Sequence, residues 1–435
     1  MISRNTKWGI ALVLFLIVAY ISVFFLTQHH SDAGVVKIYF ADRVTAAHKI
    51  LIDRYNLKMK GKIEVVPIDF PNFDFSTNER KEILARSLRG TGDGIDLFAV
   101  DVIWVQRFAK WCEPLDQYLT DAEKNRILEA PLKSCYYKGE LVALPLDYVQ
   151  GVMYYREDLL KNLKNGEEIL DKIKKGITWE DFIKIGVELK LQNPYYIFPA
   201  ADYEGLICSY MDLILGLNQN YFSDNGFNLD TPESQKALQL LVDLVNKYKL
   251  TPSIVTTFTE IPSYKYYIDH NGLFIRGWQS YDKDFLEFPV DPAKEKYLSK
   301  TQIPYFQNAN PAALIGGWHM MISKFSDKKK EVIDFVKYLL SDEAQEMFYK
   351  ESGYYPVVKK IYEDPYYQNK YKELTNMRGV LSHGVHRPAH EEYTRFSKIM
   401  SFYFEEAIKQ NISVKEALSK ATRAIQKEET AIREM

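Results

Sequence analysis

The stretch "ALPLDYVQGVMYYRED", residues 143–158, sets the architecture of this chain. Its apolar entry stops at Pro145, which has no N–H to give to a neighbouring strand. Asp147 and Tyr148 follow, and then a second apolar, tyrosine-rich run closes on Arg156, Glu157 and Asp158. A single buried strand does not accommodate a proline and an acid in its middle. The stretch therefore reads as two strands with a polar connection at Asp147 and Tyr148.

Upstream, the chain alternates between two periods. "VVKIYFA" (35–41) and "KIEVVPI" (62–68) read as strands from their β-branched content. Between them Val44, Ala47, His48, Leu51 and Tyr55 recur at helical spacing. A second helix is predicted over 77–89, with Ile83, Leu84 and Leu88 on one face. "IDLFAVD" (95–101) is nearly all apolar, as a strand covered on both sides must be. This β-α-β-α-β order predicts a parallel sheet sheathed in helices. Downstream, Thr178 with Asp181 and Thr231 with Pro232 mark helix starts. "GLFIRGW" (272–278) and "AALIGGWHMMIS" (312–323) bring strands back, the second broken by two glycines. Val332, Phe335, Val336, Leu339 and Leu340 then predict an amphipathic helix.

A chain of 435 residues is long enough for two domains. Its formal net charge is −2 with no basic stripe, which argues against nucleic acid as a partner. At the N-terminus, Trp8 to Leu26 is an uncharged run preceded by Arg4 and Lys7. Nineteen residues are enough to span a bilayer as a helix. Basic residues ahead of the run keep the N-terminus in the cytoplasm and send the rest across. Ser31 and Ala33 leave cleavage before Gly34 as the alternative to an uncleaved anchor. The first cysteine is Cys112, so no cysteine follows the run to carry a lipid. An outside location permits a disulfide. Cys112 and Cys135 flank one short helical region and could pair; three separate thiols, with Cys208, are the alternative.

Catalytic and metal signatures are weak. "RGTGDGID" (89–96) is glycine-rich, but it lacks the lysine of a phosphate loop and precedes a strand instead of following one. His383, His386 and His390 are interrupted by Gly384 and Pro388, and their spacing matches no standard zinc pattern. There is no G-x-S-x-G, no H-E-x-x-H, and no pair of carboxylates that spacing singles out for glycoside hydrolysis. No cofactor, no metal and no enzymatic activity are expected.

Several segments together resemble the extracytoplasmic solute-binding proteins of ABC sugar importers, most closely the maltose- and trehalose-binding group. They are "GDGIDLFAVDVIWVQRFAKWCEPLDQYL" (92–119), the opening stretch, "TWEDFIKI" (178–185), "NGLFIRGWQSYD" (271–282), the long segment from Gly316 to Pro365, and "HRPAHEEYTRFSKIM" (386–400). The resemblance implies an α/β, two-lobed periplasmic-binding-protein-like fold with an interlobe ligand cleft, here preceded by one N-terminal transmembrane helix. Pro145 ends a strand because the chain leaves one lobe there. The expected division is 35–146 plus 265–322 for lobe one and 147–264 plus 323–435 for lobe two, with 8–26 as the anchor.

The resemblance also implies a site. Trp278 and Trp318 would stack on a sugar, Asp101, Asp147 and Tyr148 would accept its hydroxyl hydrogens, Gly316 and Gly317 would let the backbone approach, and Arg387 would donate. Each has a plainer reading: core packing for the tryptophans, a helix cap for Asp101, an ion pair for Arg387. Val149 stands where many relatives carry a second acid. The expected function is extracytoplasmic capture of a mono- or oligosaccharide for delivery to ABC permease subunits. A membrane-tethered sensor serving a signalling partner is the alternative, and a glycosidase a weaker one.

Overall fold

The computed structural model describes residues 34–70, 77–284, 290–374 and 384–427. The apolar run at 8–26 and His383 lie outside the described residues. Among those described, no helix is long and apolar enough to cross a membrane.

The first strands follow the reading of the sequence. β1 (Val36–Asp42) lies parallel to β2 (Ile63–Asp69) and to β3 (Leu97–Asp101). The helix Ala46–Lys58 starts where the Thr45 side chain accepts from the His48 amide, so one orphan N–H is satisfied. Its inner face buries Ala47, His48, Leu51, Ile52 and Tyr55, four of the five residues that the sequence spacing indicated. The short β4 (Leu144–Pro145) follows on the same sheet.

Past Tyr148 the chain builds a second sheet on β5 (Val149–Arg156), seven of whose eight residues are buried. β6 (Tyr196–Ile197) pairs parallel with β7 (Phe274–Trp278), and β7 pairs antiparallel with β5, from Gly151 opposite Trp278 to Tyr155 opposite Phe274. The other edge of β5 is shared. β8 (Leu298–Thr301) covers its C-terminal half, and β9 (Ala313–Gly316) meets its start. At Gly317 the chain crosses back: β10 (Trp318–Ile322) pairs with β3 and β4 in the first sheet. The helices Lys329–Leu339 and Asp342–Ser352 then pack on lobe one, with Phe335 against Phe40 and Tyr55, and Phe348 against His48. By β11 (Gly384–His386), parallel to β9, the chain is in lobe two again. It finishes there with the helices Tyr393–Ile408 and Val414–Gln426, packed on Glu204–Leu217 and Pro232–Asn246.

Two sequence expectations are corrected. Residues 265–284 and 290–316 belong to lobe two, not lobe one, and 323–374 belongs to lobe one, not lobe two. Apolar content identifies "GLFIRGW" as a strand but does not say which sheet edge it meets; β5, buried at seven of its eight residues, supplied that edge. The disulfide is the second correction. Cys112 and Cys135 are free, buried thiols, as is Cys208. Cys112 Sγ donates to the Phe108 carbonyl at 3.2 Å and Cys135 Sγ to the Pro131 carbonyl at 3.4 Å, each a backbone oxygen four residues earlier. Burial pushes both thiols well above the usual cysteine range.

Candidate functional site

Sheet direction sends chemistry to one place. β1, β2 and β3 end on Asp42, Asp69 and Asp101, and antiparallel β10 begins opposite that edge, with Trp318 in register with Asp101. In lobe two, β7, β9 and β11 end on Trp278, Gly316 and His386, near the start of β5. The ends of both sheets therefore meet at the crossings, the usual position for ligands of open α/β sheets.

Asp101 and Arg387 join the lobes. The Arg387 guanidinium is 2 % exposed; its Nη2 lies 2.7 Å from Asp101 Oδ1 and its Nη1 2.9 Å from Glu204 Oε1. Glu204 also accepts from the Tyr393 hydroxyl at 2.8 Å and from the Ser397 hydroxyl. Burial works against the Arg387 charge, but Asp101, Cys208 and Glu204 beside it outweigh that and keep it firmly protonated. Asp101 Oδ1 also accepts the Ile103 amide at 3.1 Å. The cap reading of Asp101 thus coexists with its ion pair, and the ion pair of Arg387 is a buried interlobe one rather than a surface one. A second contact spans the rim, where the Tyr137 hydroxyl donates to Glu391 Oε1 at 2.5 Å.

Asp147 and Gly317 form the crossing itself. Asp147 is buried, and its Oδ1 accepts the Trp318 amide at 3.0 Å. The Trp318 carbonyl in turn accepts from Leu146 N at 2.8 Å. Gly317 has φ +136°, and a Cβ there would stand 2.6 Å from the Asp147 carbonyl oxygen, so the two crossing strands approach as closely as they do only with glycine present. Asp147 therefore clasps backbone. Tyr148 is buried on the same crossing, exchanging backbone hydrogen bonds with Tyr355 while the two rings stack at 6.3 Å. Burial raises its hydroxyl pKa well above the usual range.

Both predicted tryptophans are half-buried at the cleft edge. Trp278 lies beside Gly316, where a Cβ would come within 3.4 Å of its ring. Trp318 meets Trp104 edge-on at 6.1 Å. The sequence reading missed Asp42, His48, Arg80, Trp104 and Glu204. Asp42 Oδ1 accepts from Arg80 Nη2 at 2.6 Å, and His48 Nε2 lies 3.3 Å from its other oxygen. Burial raises the Asp42 carboxyl pKa, but His48 and Arg80 outweigh it and hold the group below the usual carboxylate range. One signal was available: all three parallel strands close on an aspartate. Arg80 and Glu204 sit on helices, and no spacing marks them. Among the described residues no cluster of three His, Cys, Asp or Glu could hold a metal. His386 lies at the strand end and His390 packs instead on Phe396.

Comparison with known proteins agrees with this geometry. The family model described as "Bacterial extracellular solute-binding protein" matches residues 40–346. A curated "Probable ABC transporter-binding protein" of Deinococcus radiodurans is 24% identical over 359 residues, 80% of this chain and 83% of its own length. Among solved structures, maltose-bound T. maritima MalE3 superimposes with a TM-score of 0.79 at 25% identity, over 90% of this chain and 99% of its own. The sugar-binding protein MalE of Xanthomonas citri shares the fold, with a TM-score of 0.72 at 18% identity over 92% of this chain and 98% of its own.

Proposed function

The chain belongs to the bacterial extracellular solute-binding protein family, and we propose that its solute is a mono- or oligosaccharide held between the two lobes. It is a binding protein rather than an enzyme, and its folded part works outside the cytoplasm. One observation carries the sugar reading. Each lobe brings a half-buried tryptophan, Trp278 or Trp318, to the same crossing where Asp101, Arg387 and Glu204 gather. Sugars have apolar C–H faces that suit an indole and a rim of hydroxyls that suits carboxylates and guanidinium. Asp101, Trp278, Trp318 and Arg387 are the proposed ligand contacts. Gly317, Asp147 and Tyr148 shape the crossing behind them.

Binding would favour closure because a ligand touching both rims gains contacts that the open form lacks. The Asp101–Arg387 pair already spans the rims, so ligand hydroxyls would join or replace an existing bridge. The likeness to maltose-bound MalE3 and to a probable ABC transporter-binding protein supports delivery to ABC permease subunits. The run at 8–26, with no cysteine before Cys112, supports tethering by an uncleaved helix and keeps a tethered sensor as the second reading.

A thermal-shift screen over mono- and disaccharides, maltose and trehalose included, followed by calorimetry, tests the proposal. A ligand at about 100 times its Kd should stabilise the fold by roughly 2.7 kcal/mol. No sugar raising the melting temperature refutes it. The mature N-terminus by mass spectrometry tests the tether; a soluble chain beginning at Gly34 refutes it.

A further inference from the structure

Each cleft tryptophan carries a guanidinium on one face. In lobe one, Arg80 Cζ stands 4.1 Å from the ring centroid of Trp318; in lobe two, Arg276 Cζ stands 4.3 Å from that of Trp278. Both guanidiniums are held by a buried aspartate. Arg80 Nη2 is 2.6 Å from Asp42 Oδ1, and Arg276 Nε is 3.0 Å from Asp212 Oδ2. The elements that supply them are unrelated. Arg80 comes from the helix Thr77–Arg89 and Asp42 from the end of β1; Arg276 comes from β7 and Asp212 from the helix Glu204–Leu217. The two lobes thus reach one Asp–Arg–Trp stack by different routes.

Plain packing does not account for it. The Arg80 and Arg276 side chains are 3% and 1% exposed. Arg80 Nε and Arg276 Nη1 and Nη2 are buried with no hydrogen-bond partner among the described residues. A leucine or methionine would fill such space without desolvating a charge or stranding donors. A guanidinium supplies a flat cation over the ring, attracted to its negative face. It closes that face and fixes the indole's orientation, and its charge offsets the pull of the ring on any other cation.

We propose that Arg80 and Arg276 are positioning residues: they hold Trp318 and Trp278 by one face each, present the opposite faces in fixed orientation, and bias those faces against cations. The ligand class that fits is an uncharged ring compound. Only this last step rests on the carbohydrate reading; the orientation and the charge bias belong to the ligand-free protein.

The test uses the full chain labelled with 5-fluorotryptophan, without ligand, its resonances assigned by single Trp→Phe variants. Arg80→Lys and Arg276→Lys keep a charge beside the aspartate but lose the flat plate. Arg80→Lys should shift and broaden the Trp318 resonance, and Arg276→Lys that of Trp278, with Trp111 and Trp179 unmoved. Unchanged Trp318 and Trp278 resonances in these variants overturn the proposal. Should a lysine variant fail to fold, seen as collapse of the Trp111 and Trp179 signals, the parent protein decides. The fluorescence removed by Trp278→Phe and Trp318→Phe should be quenched more by iodide than by caesium, relative to free N-acetyltryptophanamide. Equal or reversed quenching overturns the proposal. Maltose added to the parent then reads the carbohydrate proposal separately, since its failure to move either resonance leaves the arginine-dependent shifts standing.

Discussion

His319 should make this fold sensitive to mild acid. It sits on β10, fully buried, with Nε2 2.6 Å from the Ser134 hydroxyl. Burial, assisted by the nearby His386, pushes its pKa from 6.5 down to about 4. His386 is pushed down too, by its own burial first. A histidine held neutral in the fold binds fewer protons there than in the unfolded chain. Its contribution is therefore complete above the unfolded pKa of 6.5 and lost as pH falls toward 4. Each unit inside that window is worth about 1.4 kcal/mol. Integrating from about pH 7.5 to about pH 5 gives a loss of roughly 2 kcal/mol from His319 alone. Urea unfolding of the parent and of His319→Gln across this range isolates the term, because the carboxylates that also titrate are common to both. Gln keeps a polar partner for Ser134 and cannot take up a proton. The parent should lose about 2 kcal/mol more than the variant over this range. Parallel stability curves would refute the argument and show that the site admits a charged imidazole.

The remaining predictions concern the crossing, the rings and the thiols. Gly317→Ala should cost at least about 2 kcal/mol, since φ and a backbone clash both oppose it; a urea midpoint equal to the parent's refutes the crossing geometry. Trp278→Ala and Trp318→Ala should each weaken binding of the sugar found by screening by about 2 kcal/mol or more in calorimetry. Unchanged affinity in a folded variant, or a ligand-free stability loss of about 3–5 kcal/mol with normal affinity, would make the ring a core residue. Ellman's reagent should find no reactive thiol in the native chain and all three cysteines after denaturation without reductant. Fewer than three would mean that a disulfide forms after all.

Local pattern determined much of this protein. The β-α-β-α-β opening, the break at Pro145, the caps at Thr178 and Thr231, and the strand within 272–278 rest on neighbouring residues and stand where the sequence puts them, whereas the strand read over 312–323 divides at its glycines into β9 and β10 on different sheets. Asp101 and Trp278 end strands, Trp318 begins one and Arg387 directly follows one, in segments that resemble a known family, which is why the sequence could put them forward as candidates. What the sequence left open depends on contacts between distant residues. "GLFIRGW" is equally apolar against either sheet, so the lobe it joins was settled by the free edge of β5. Cys112 and Cys135 lie near each other in sequence, but each thiol is turned toward its own backbone. Arg80, Glu204 and Arg276 could not be singled out, because an arginine or glutamate reads as surface until an aspartate, an arginine or an indole from another segment is brought against it. Arg276 and Trp278 are neighbours on one strand, but Asp212 reaches Arg276 from another helix, and the Arg80–Trp318 and Arg387–Asp101 pairs join residues far apart in the chain; only the tertiary structure closes those distances.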